Sequence, residues 1–153
     1  MRSVELSSHY LIYDGDLPAE DALLLEAARS ATSLAYAPYS RFHVGAAARM
    51  ASSGVIVKGA NQENASFPAG ICAERSLLSV AAALYPGEAI SALAISYVPA
   101  AAVPITPCGI CRQSIAEFQA RTGGRIRLIL GGASGPVWVF EDAGALLPLT
   151  FTF

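Results

Sequence analysis

Hydrophobic and polar positions follow helical spacing in some stretches of the chain and strand-like spacing in others. After Pro18, the stretch AEDALLLEAARSATSLA places acidic residues first and apolar residues at helical spacing, which predicts a first helix. The runs VGAAARMA and GVIVKGAN follow around the turn SSG and predict a β-hairpin. The stretch CAERSLLSVAAALY, ended by Pro86 and Gly87, predicts a second helix.

The second half of the chain continues the alternation of strands and helices. ISALAISYV is apolar throughout, as expected for a strand buried on both faces, and AAAVPITPC leads into a third predicted helix, GICRQSIAEFQART. The short strands RIRLIL and PVWVF are separated only by GGASG, which permits an antiparallel hairpin but not a parallel crossover. The pattern predicts an α/β fold with three layers, α/β/α, around a mixed five-stranded sheet whose last two strands form the hairpin.

One domain accounts for the whole chain. A length of 153 residues suits a single core, and a hydrophobic content of 54% is high for a small chain. No internal repeat or linker interrupts the pattern, so residues 1–153 are predicted to form one domain, with about residues 1–16 as a flexible or accessory N-terminal segment. The surplus of apolar residues indicates surface that contacts partners.

Charge and hydropathy exclude two classes of partner. A net charge of −2 lacks the basic footprint of a protein that binds long nucleic acid. The N-terminus has no continuous apolar stretch of the signal-peptide type, and no run of about 18 apolar residues occurs anywhere. We therefore expect a cytoplasmic protein that binds a small molecule and neither a membrane nor a nucleic acid polymer.

The three cysteines are the main candidates for chemistry. Cys72 begins the second predicted helix, and Cys108 and Cys111 of the motif PCGIC begin the third. Free N–H groups and the positive end of the helix dipole stabilise thiolates at such positions. Because Cys108 and Cys111 are three residues apart, both can turn toward one ion. The three thiolates are therefore predicted to meet at one zinc ion.

This predicted zinc site has an open position. A structural zinc site closes with four protein ligands, but the chain has no fourth cysteine, and neither His9 nor His43 has a spacing typical of a ligand. Three protein ligands are typical of a catalytic zinc, which carries water at the fourth position. Glu74, two residues after Cys72, is then predicted to take a proton from that water and pass it on. The alternative is an ordinary acid that complements the helix dipole.

With these residues in place, the chain resembles the cytidine deaminase family. The resemblance is carried by CAE at 72–74 and PCGIC at 107–111, and it extends through YAPYSRFHVGAA, GANQENASFPAGICAER, PITPCGICRQ and the tail LLPLTF. It implies hydrolytic deamination of cytidine, with 2′-deoxycytidine as a second substrate, in pyrimidine salvage. The cofactor implied is one Zn²⁺ ion per subunit.

The resemblance also implies a role for each residue of the substrate site. The ring of Phe42 packs on the pyrimidine, and Asn61 and Glu63 hydrogen-bond the ribose 3′-hydroxyl. The backbone N–H of Ala73 helps to hold the base. Arg75 donates hydrogen bonds to the thiolates, which offsets the excess negative charge of three thiolates on a divalent cation.

Two phenylalanines are expected at a boundary between subunits. Phe67 keeps the ring of the tyrosine that is usual in the family but lacks its hydroxyl. Phe151 matches a phenylalanine that reaches a neighbouring subunit's pocket, so the resemblance implies a homotetramer with shared active sites. The alternative is that the apolar tail folds back on its own core. For Arg112 and Gln113, a position beside the metal ligands and a position on the surface are equally compatible with the sequence.

Three other readings of the cysteine motifs remain. PCGIC at a helix start also resembles a thioredoxin-like redox turn, in which Cys72 and Glu74 would have no task. A purely structural zinc module would lack its fourth ligand. Deaminases of blasticidin-type antibiotics share CAE and PCxxC, so a different aminated base or nucleoside remains an alternative substrate.

Overall fold

One mixed sheet with helices on both faces forms the framework of the protein. The computed structural model describes residues 1–99 and 103–153, so residues 100–102 of the predicted connection AAAVPITPC lie outside it. The elements in chain order are β1 (Leu11–Tyr13), α1 (Ala19–Ala31), β2 (His43–Met50), β3 (Ile56–Ala60), α2 (Ala73–Leu84), β4 (Ile90–Val98), α3 (Gly109–Thr122), β5 (Arg127–Gly131) and β6 (Val137–Phe140).

The sheet has the order β1-β6-β5-β4-β2-β3. Strands β4 and β5 are parallel, and the pairs β2–β3, β2–β4 and β5–β6 are antiparallel. The predicted mixed α/β sheet and both predicted hairpins are therefore confirmed. The C-terminal hairpin follows the short GGASG connection, which leaves no room for a crossover.

The sheet has one strand more than the five predicted. Strand β1 comes from the N-terminal segment and pairs antiparallel with β6, with Leu11 opposite Val139. The ring of Tyr10 stacks on Phe140 at 5.0 Å between centroids and lies 5.2 Å from Trp138. A strand of three residues is too short to produce a readable alternation, and it is these cross-strand aromatic contacts that hold it against the sheet edge.

The helices form the two outer layers. Helix α1 packs on one face of the sheet through Leu24, Leu25 and Ala28, while α2 and α3 bury Leu77 and Ile115 on the other face. Each layer adds apolar burial, which is the main favourable contribution to folding.

Two glycines bring the helices onto the sheet backbone. A Cβ added at Gly45 of β2 would lie 2.2 Å from the carbonyl oxygen of Ala28 in α1. A Cβ added at Gly59 of β3 would lie 2.5 Å from the backbone nitrogen of Leu77 in α2. Only glycine fits such close approaches, so these positions fix where α1 and α2 cross the sheet.

A buried ion pair also ties α1 to the sheet. The side chain of Asp21, in the first turn of α1, is only 6% exposed. Arg127 of β5 donates to Asp21 Oδ2 from Nε at 2.9 Å and from Nη2 at 2.8 Å. The sequence predicts acids here for the helix dipole, but Asp21 is also the partner of a guanidinium that lies 106 residues later in the chain.

Candidate metal and substrate site

The three cysteines lie around one point where two helices begin. Cys72 immediately precedes α2, Cys108 immediately precedes α3, and Cys111 follows one turn into α3. The Sγ atoms of Cys72 and Cys108 are 4.0 Å apart, those of Cys108 and Cys111 are 3.5 Å apart, and all three lie within 4.8 Å of one another. No disulfide joins these described residues, so all three are free thiols.

The spacing of the three sulfurs fits a zinc ion. Tetrahedral zinc with Zn–S bonds of about 2.3 Å separates its sulfur ligands by about 3.8 Å, close to the two distances measured here. Within the described residues, neither His9 nor His43 joins the cluster. The donor set is therefore three thiols, as the sequence predicted, and this leaves one tetrahedral position to something other than these side chains.

The cluster favours a thiolate even before a metal is added. The hydrogen bond from Cys111 lowers the pKa of the Cys72 thiol to about 6, against the opposing effects of burial and of the nearby Glu74. The same hydrogen bond with Cys72, together with burial, raises the pKa of Cys111. The contact between the two sulfurs thus favours the thiolate form of Cys72, the form that binds a metal ion.

A cavity of about 490 Å³ opens beside the sulfurs. Its lining combines Cys72 and Cys108 with apolar side chains and the first turn of α2; it comprises Ser40, Phe42, Val44, Asn61, Glu63, Cys72, Ala73, Glu74, Ile105, Thr106 and Cys108. Ala73 and Glu74 are the first residues of α2, where backbone N–H groups have no partner within the helix. The cavity therefore presents N–H donors, thiols and a carboxyl group to the same space.

Glu74 is the buried carboxyl group of this cavity. Only 6% of the residue is exposed. Burial raises the pKa of Glu74, while its own backbone N–H and Cys111 oppose the rise. A carboxyl group whose pKa moves toward neutrality both accepts and releases a proton more readily, which suits proton transfer.

A second cavity of about 540 Å³ adjoins the first and shares four lining residues with it: Ser40, Asn61, Glu63 and Cys72. Phe67 lines its outer part, with 74% of the residue exposed and its ring edge against Tyr39 at 5.7 Å. The two cavities together form one cleft. Asn61 and Glu63 lie where the cavity beside the sulfurs meets the cavity lined by Phe67.

Asn61 and Glu63 also hold the turn that leads into β2. The amide of Asn61 accepts a hydrogen bond from Val44 N–H at 2.8 Å and donates to the Phe42 carbonyl at 2.9 Å. Glu63 accepts hydrogen bonds from the hydroxyl of Ser40 and from the backbone N–H of Tyr39 at 2.8 Å. The Ser40 bond is the main reason that the pKa of Glu63 is lowered.

Arg112 and Gln113, the two residues after Cys111, make different contacts in the structure. Arg112 donates to the Pro107 carbonyl at 2.8 Å, to the Leu146 carbonyl at 3.3 Å and to Thr106 Oγ1 at 3.2 Å. It therefore braces the loop that carries Cys108. The sequence does not distinguish this position from the surface, because neither the fold of the preceding loop nor the approach of the Leu146 carbonyl, 34 residues away, is readable from the local motif.

Gln113 holds the C-terminal tail against α3. Its Nε2 donates to the Phe151 carbonyl at 2.9 Å, and Phe151 N–H donates to its Oε1 at 3.3 Å. The ring of Phe151 stays outside, since 64% of the residue is exposed. The tail thus folds back by its backbone while it presents an aromatic side chain outward.

Arg75 lies near the sulfurs without bonding to them. Among the described residues its guanidinium makes no hydrogen bond to a cysteine, although its positive charge contributes to the lowered pKa of Cys72. Its predicted hydrogen bonds to the thiolates stay a prediction.

Within residues 1–99 and 103–153, no helix is both long enough and apolar enough to cross a membrane.

Known proteins share this sequence pattern. Residues 18–123 match the family described as the cytidine and deoxycytidylate deaminase zinc-binding region. The chain is 40% identical over 131 residues to cytidine deaminase from Halalkalibacterium halodurans, which covers 85% of this chain and 92% of that protein. It is 41% identical over 90 residues to cytidine deaminase from Mycobacterium tuberculosis, covering 59% of this chain and 65% of the relative.

Solved structures agree with the sequence matches. The crystal structure of cytidine deaminase from Burkholderia pseudomallei superposes with a TM-score of 0.75 at 41% identity, covering 85% of this chain and 98% of that chain. The cytidine deaminase structure from Mycobacterium tuberculosis gives a TM-score of 0.68 at 32% identity, covering 86% and 97%. Strand β1 precedes the family match, which begins at residue 18.

Proposed function

The chain belongs to the cytidine and deoxycytidylate deaminase family, and from this premise we propose that it converts cytidine and 2′-deoxycytidine to the corresponding uridine nucleoside and ammonia. The observation that carries the proposal is the cluster of three thiols, two of which, Cys72 and Cys108, line the same cavity as the buried carboxyl group of Glu74. This combination serves hydrolysis, because it pairs a metal site with a proton carrier.

Cys72, Cys108 and Cys111 would hold a zinc ion, which would supply a Lewis acid that makes water nucleophilic at neutral pH. In the proposed reaction, Glu74 takes the proton that the water loses and delivers it to N3 of the pyrimidine as the oxygen joins C4. Glu74 then moves the proton of the new C4 hydroxyl to the amino group, which leaves as ammonia when the C4–N bond breaks. Its buried position excludes bulk water from these transfers.

The remaining cavity residues hold the nucleoside. Phe42 lies against the base, the N–H of Ala73 donates to it, and Asn61 and Glu63 contact the sugar. Asn61 keeps one amide hydrogen free beyond its bond to the Phe42 carbonyl, so it can donate to a ligand. The apolar wall and few polar groups suit a small uncharged molecule better than a polymer.

One panel of substrates tests this function directly. Ammonia release is measured from cytidine, 2′-deoxycytidine, cytosine, adenosine and blasticidin with the zinc-loaded protein. We expect turnover of the first two and little of the others. Cytosine lacks the sugar hydroxyl that Asn61 and Glu63 would bind, and adenosine carries a larger purine base in place of the pyrimidine. Turnover of blasticidin alone would favour the antibiotic deaminases, and no ammonia from any of them would contradict the proposal.

We also propose that residues 1–153 form a single deaminase domain, with residues 1–16 as an accessory segment, and that the protein assembles as a homotetramer. Exposed aromatic rings support the assembly: Phe67 on the rim of the cleft and Phe151 on the tail are 74% and 64% exposed. Such rings are typical of surfaces that contact another subunit. In the tetramer, they complete a neighbouring cleft.

A further inference from the structure

Ser40 connects two parts of the substrate site. Its hydroxyl donates to Glu63 Oε1 and accepts a hydrogen bond from the backbone N–H of Phe42 at 3.0 Å. It also lines both cavities. One hydroxyl thus joins the carboxylate after β3 to the aromatic residue that precedes β2.

The bonds around Glu63 leave it little freedom. Its Oε2 accepts hydrogen bonds from the backbone N–H of Tyr39 at 2.8 Å and of Ser40 at 3.3 Å, and its Oε1 accepts from the Ser40 hydroxyl. A carboxylate has about four acceptor sites, so about one is left, on the oxygen that Ser40 orients. A ligand hydroxyl therefore meets a carboxylate whose direction Ser40 has set.

The same hydroxyl supports an unusual backbone conformation. Arg41, between Ser40 and Phe42, has a φ of 57°, which residues other than glycine seldom adopt. Such a conformation persists when neighbouring contacts hold it. Here they are the Arg41 N–H bond to the Ala37 carbonyl at 3.0 Å and the Ser40 bonds on either side. Ser40 thus helps to fix the backbone that carries the Phe42 ring, and the ring itself also packs against Tyr97 at 5.5 Å between centroids.

We propose that Ser40 is a positioning residue, which holds the Glu63 carboxylate and the Phe42 ring at the separation that a nucleoside's sugar and base require. The inference rests on the proposed function, in which Phe42 contacts the base and Glu63 the sugar. Loss of the hydroxyl leaves the zinc ligands and Glu74 in place but loosens both nucleoside contacts. It therefore weakens substrate binding rather than the chemical step.

The β2–β3 turn supplies a matched control. Ser53 donates its hydroxyl to Glu88 Oε1 at 3.0 Å, the backbone N–H groups of Ser52 and Ser53 donate to the same oxygen at 2.8 and 2.7 Å, and Val55 N–H donates to Ser53 Oγ at 3.4 Å. This repeats the pattern around Ser40, yet neither Ser53 nor Glu88 lines either cavity. Ser53→Ala removes the same kinds of bond away from the substrate.

Zinc-loaded parent protein, Ser40→Ala and Ser53→Ala are compared with cytidine and with 3′-deoxycytidine. In Ser40→Ala we expect the KM for cytidine to rise roughly three- to tenfold, with kcat within about twofold of the parent and zinc content unchanged. The rise should be smaller for 3′-deoxycytidine, which offers Glu63 no 3′-hydroxyl. Ser53→Ala should keep the parent's KM while its thermal midpoint falls about as far as that of Ser40→Ala.

Three results would overturn the role of Ser40: a parent-like KM in Ser40→Ala, an equal rise for both substrates, or the same rise in Ser53→Ala. A loss of kcat at constant KM would also overturn it, because that would place Ser40 in the chemical step. A parent protein that releases no ammonia from cytidine would contradict the proposed function instead, and with it the premise of this inference.

Discussion

Two carboxylates of the cleft, Glu74 and Glu63, have opposite surroundings. Burial raises the pKa of Glu74, whereas hydrogen bonds, first of all from Ser40, lower the pKa of the partly exposed Glu63. A raised pKa suits a group that gains and loses protons, and a lowered pKa suits a permanent acceptor. The two residues are therefore suited to different tasks, although they lie in the same cavity.

Glu74→Gln should keep the fold and the zinc, because the side chain is not one of the three sulfur ligands. Turnover should fall by at least about a hundredfold, since the amide cannot carry a proton. Metal analysis and steady-state rates measure the two effects on one preparation. Near-normal turnover in a zinc-loaded variant would remove Glu74 from the proton path.

Arg75→Gln should retain zinc at neutral pH but lower the turnover. The charge of Arg75 helps to lower the pKa of Cys72, so without it protons should compete for the thiolate at a higher pH. The pH at which a chelating dye takes up half of the zinc should therefore rise. The control is Arg121→Gln, whose guanidinium lies 4.6 Å from the centre of the Phe118 ring. If both variants matched the parent in rate and zinc release, Arg75 would have no part in the metal site.

At the residue scale, most of the candidate site could be predicted from local sequence motifs. Cys72, Cys108 and Cys111 were predictable because the helix starts and the i, i+3 spacing are readable in the chain. The contact of Ser40 with Glu63 and that of Arg112 with the Leu146 carbonyl were not, because they join groups 23 and 34 residues apart in the chain. A serine in a proline-containing turn before an aromatic residue is common in loops, so only the contact with Glu63 distinguishes it.

At the scale of elements, several polar contacts attach α1 to the sheet, among them the exposed pair of Glu20 with Arg49 of β2, but the pair of Asp21 with Arg127 is buried. Asp21 is nearly buried, and Arg127 is its ion-pair partner on β5. Removing one partner of a buried pair leaves an uncompensated charge, which costs more than the pair itself contributes.

Arg127→Ala should accordingly lower the free energy of unfolding by about 2–4 kcal/mol, because Asp21 stays buried without a partner. Arg125→Ala is the matched control: its side chain is 85% exposed and reaches Asp142 only at 3.6 Å, so its loss should cost less than about 1 kcal/mol. Urea unfolding measures both. Equal stability of the two variants would show that Asp21 is solvated in the absence of Arg127.

Element boundaries were less predictable than element types. The first helix was predicted through Ala35, but α1 ends at Ala31 and a 3₁₀ turn, Thr32–Leu34, follows. The chain must leave the helix there because Tyr36 N–H bonds the Asn61 carbonyl at 3.0 Å. Such a long-range bond overrides local helix propensity, just as pairing with β6 creates β1 from three residues.

At the scale of the whole molecule, the tail lies in the chain's own fold and also points outward. Gln113 fixes the backbone at Phe151, whereas the side chains of Leu149, Phe151 and Phe153 stay exposed. The tail is therefore held against α3 by its backbone and does not pack its apolar side chains on the core. The proposed tetramer would bury these exposed side chains.

Deleting residues 151–153 should raise the KM for cytidine on the order of tenfold and leave the zinc content unchanged, because an aromatic wall of the neighbouring cleft is lost. Deleting only Phe153 is the control, since Phe151 remains. Steady-state kinetics and sedimentation at assay concentration are measured together. A monomer with full activity would contradict shared active sites.

The positions of the three cysteines along the chain affect the order of the folding steps. Cys108 and Cys111 are three positions apart, but Cys72 lies 36 positions before Cys108, and the intervening chain includes all of α2 and β4. An unfolded chain can offer a metal the local pair at little entropic cost, whereas the third ligand requires a large loop to close. Tight metal binding should therefore occur when the central strands pair. The rate of metal uptake during refolding would then report the rate at which the sheet forms.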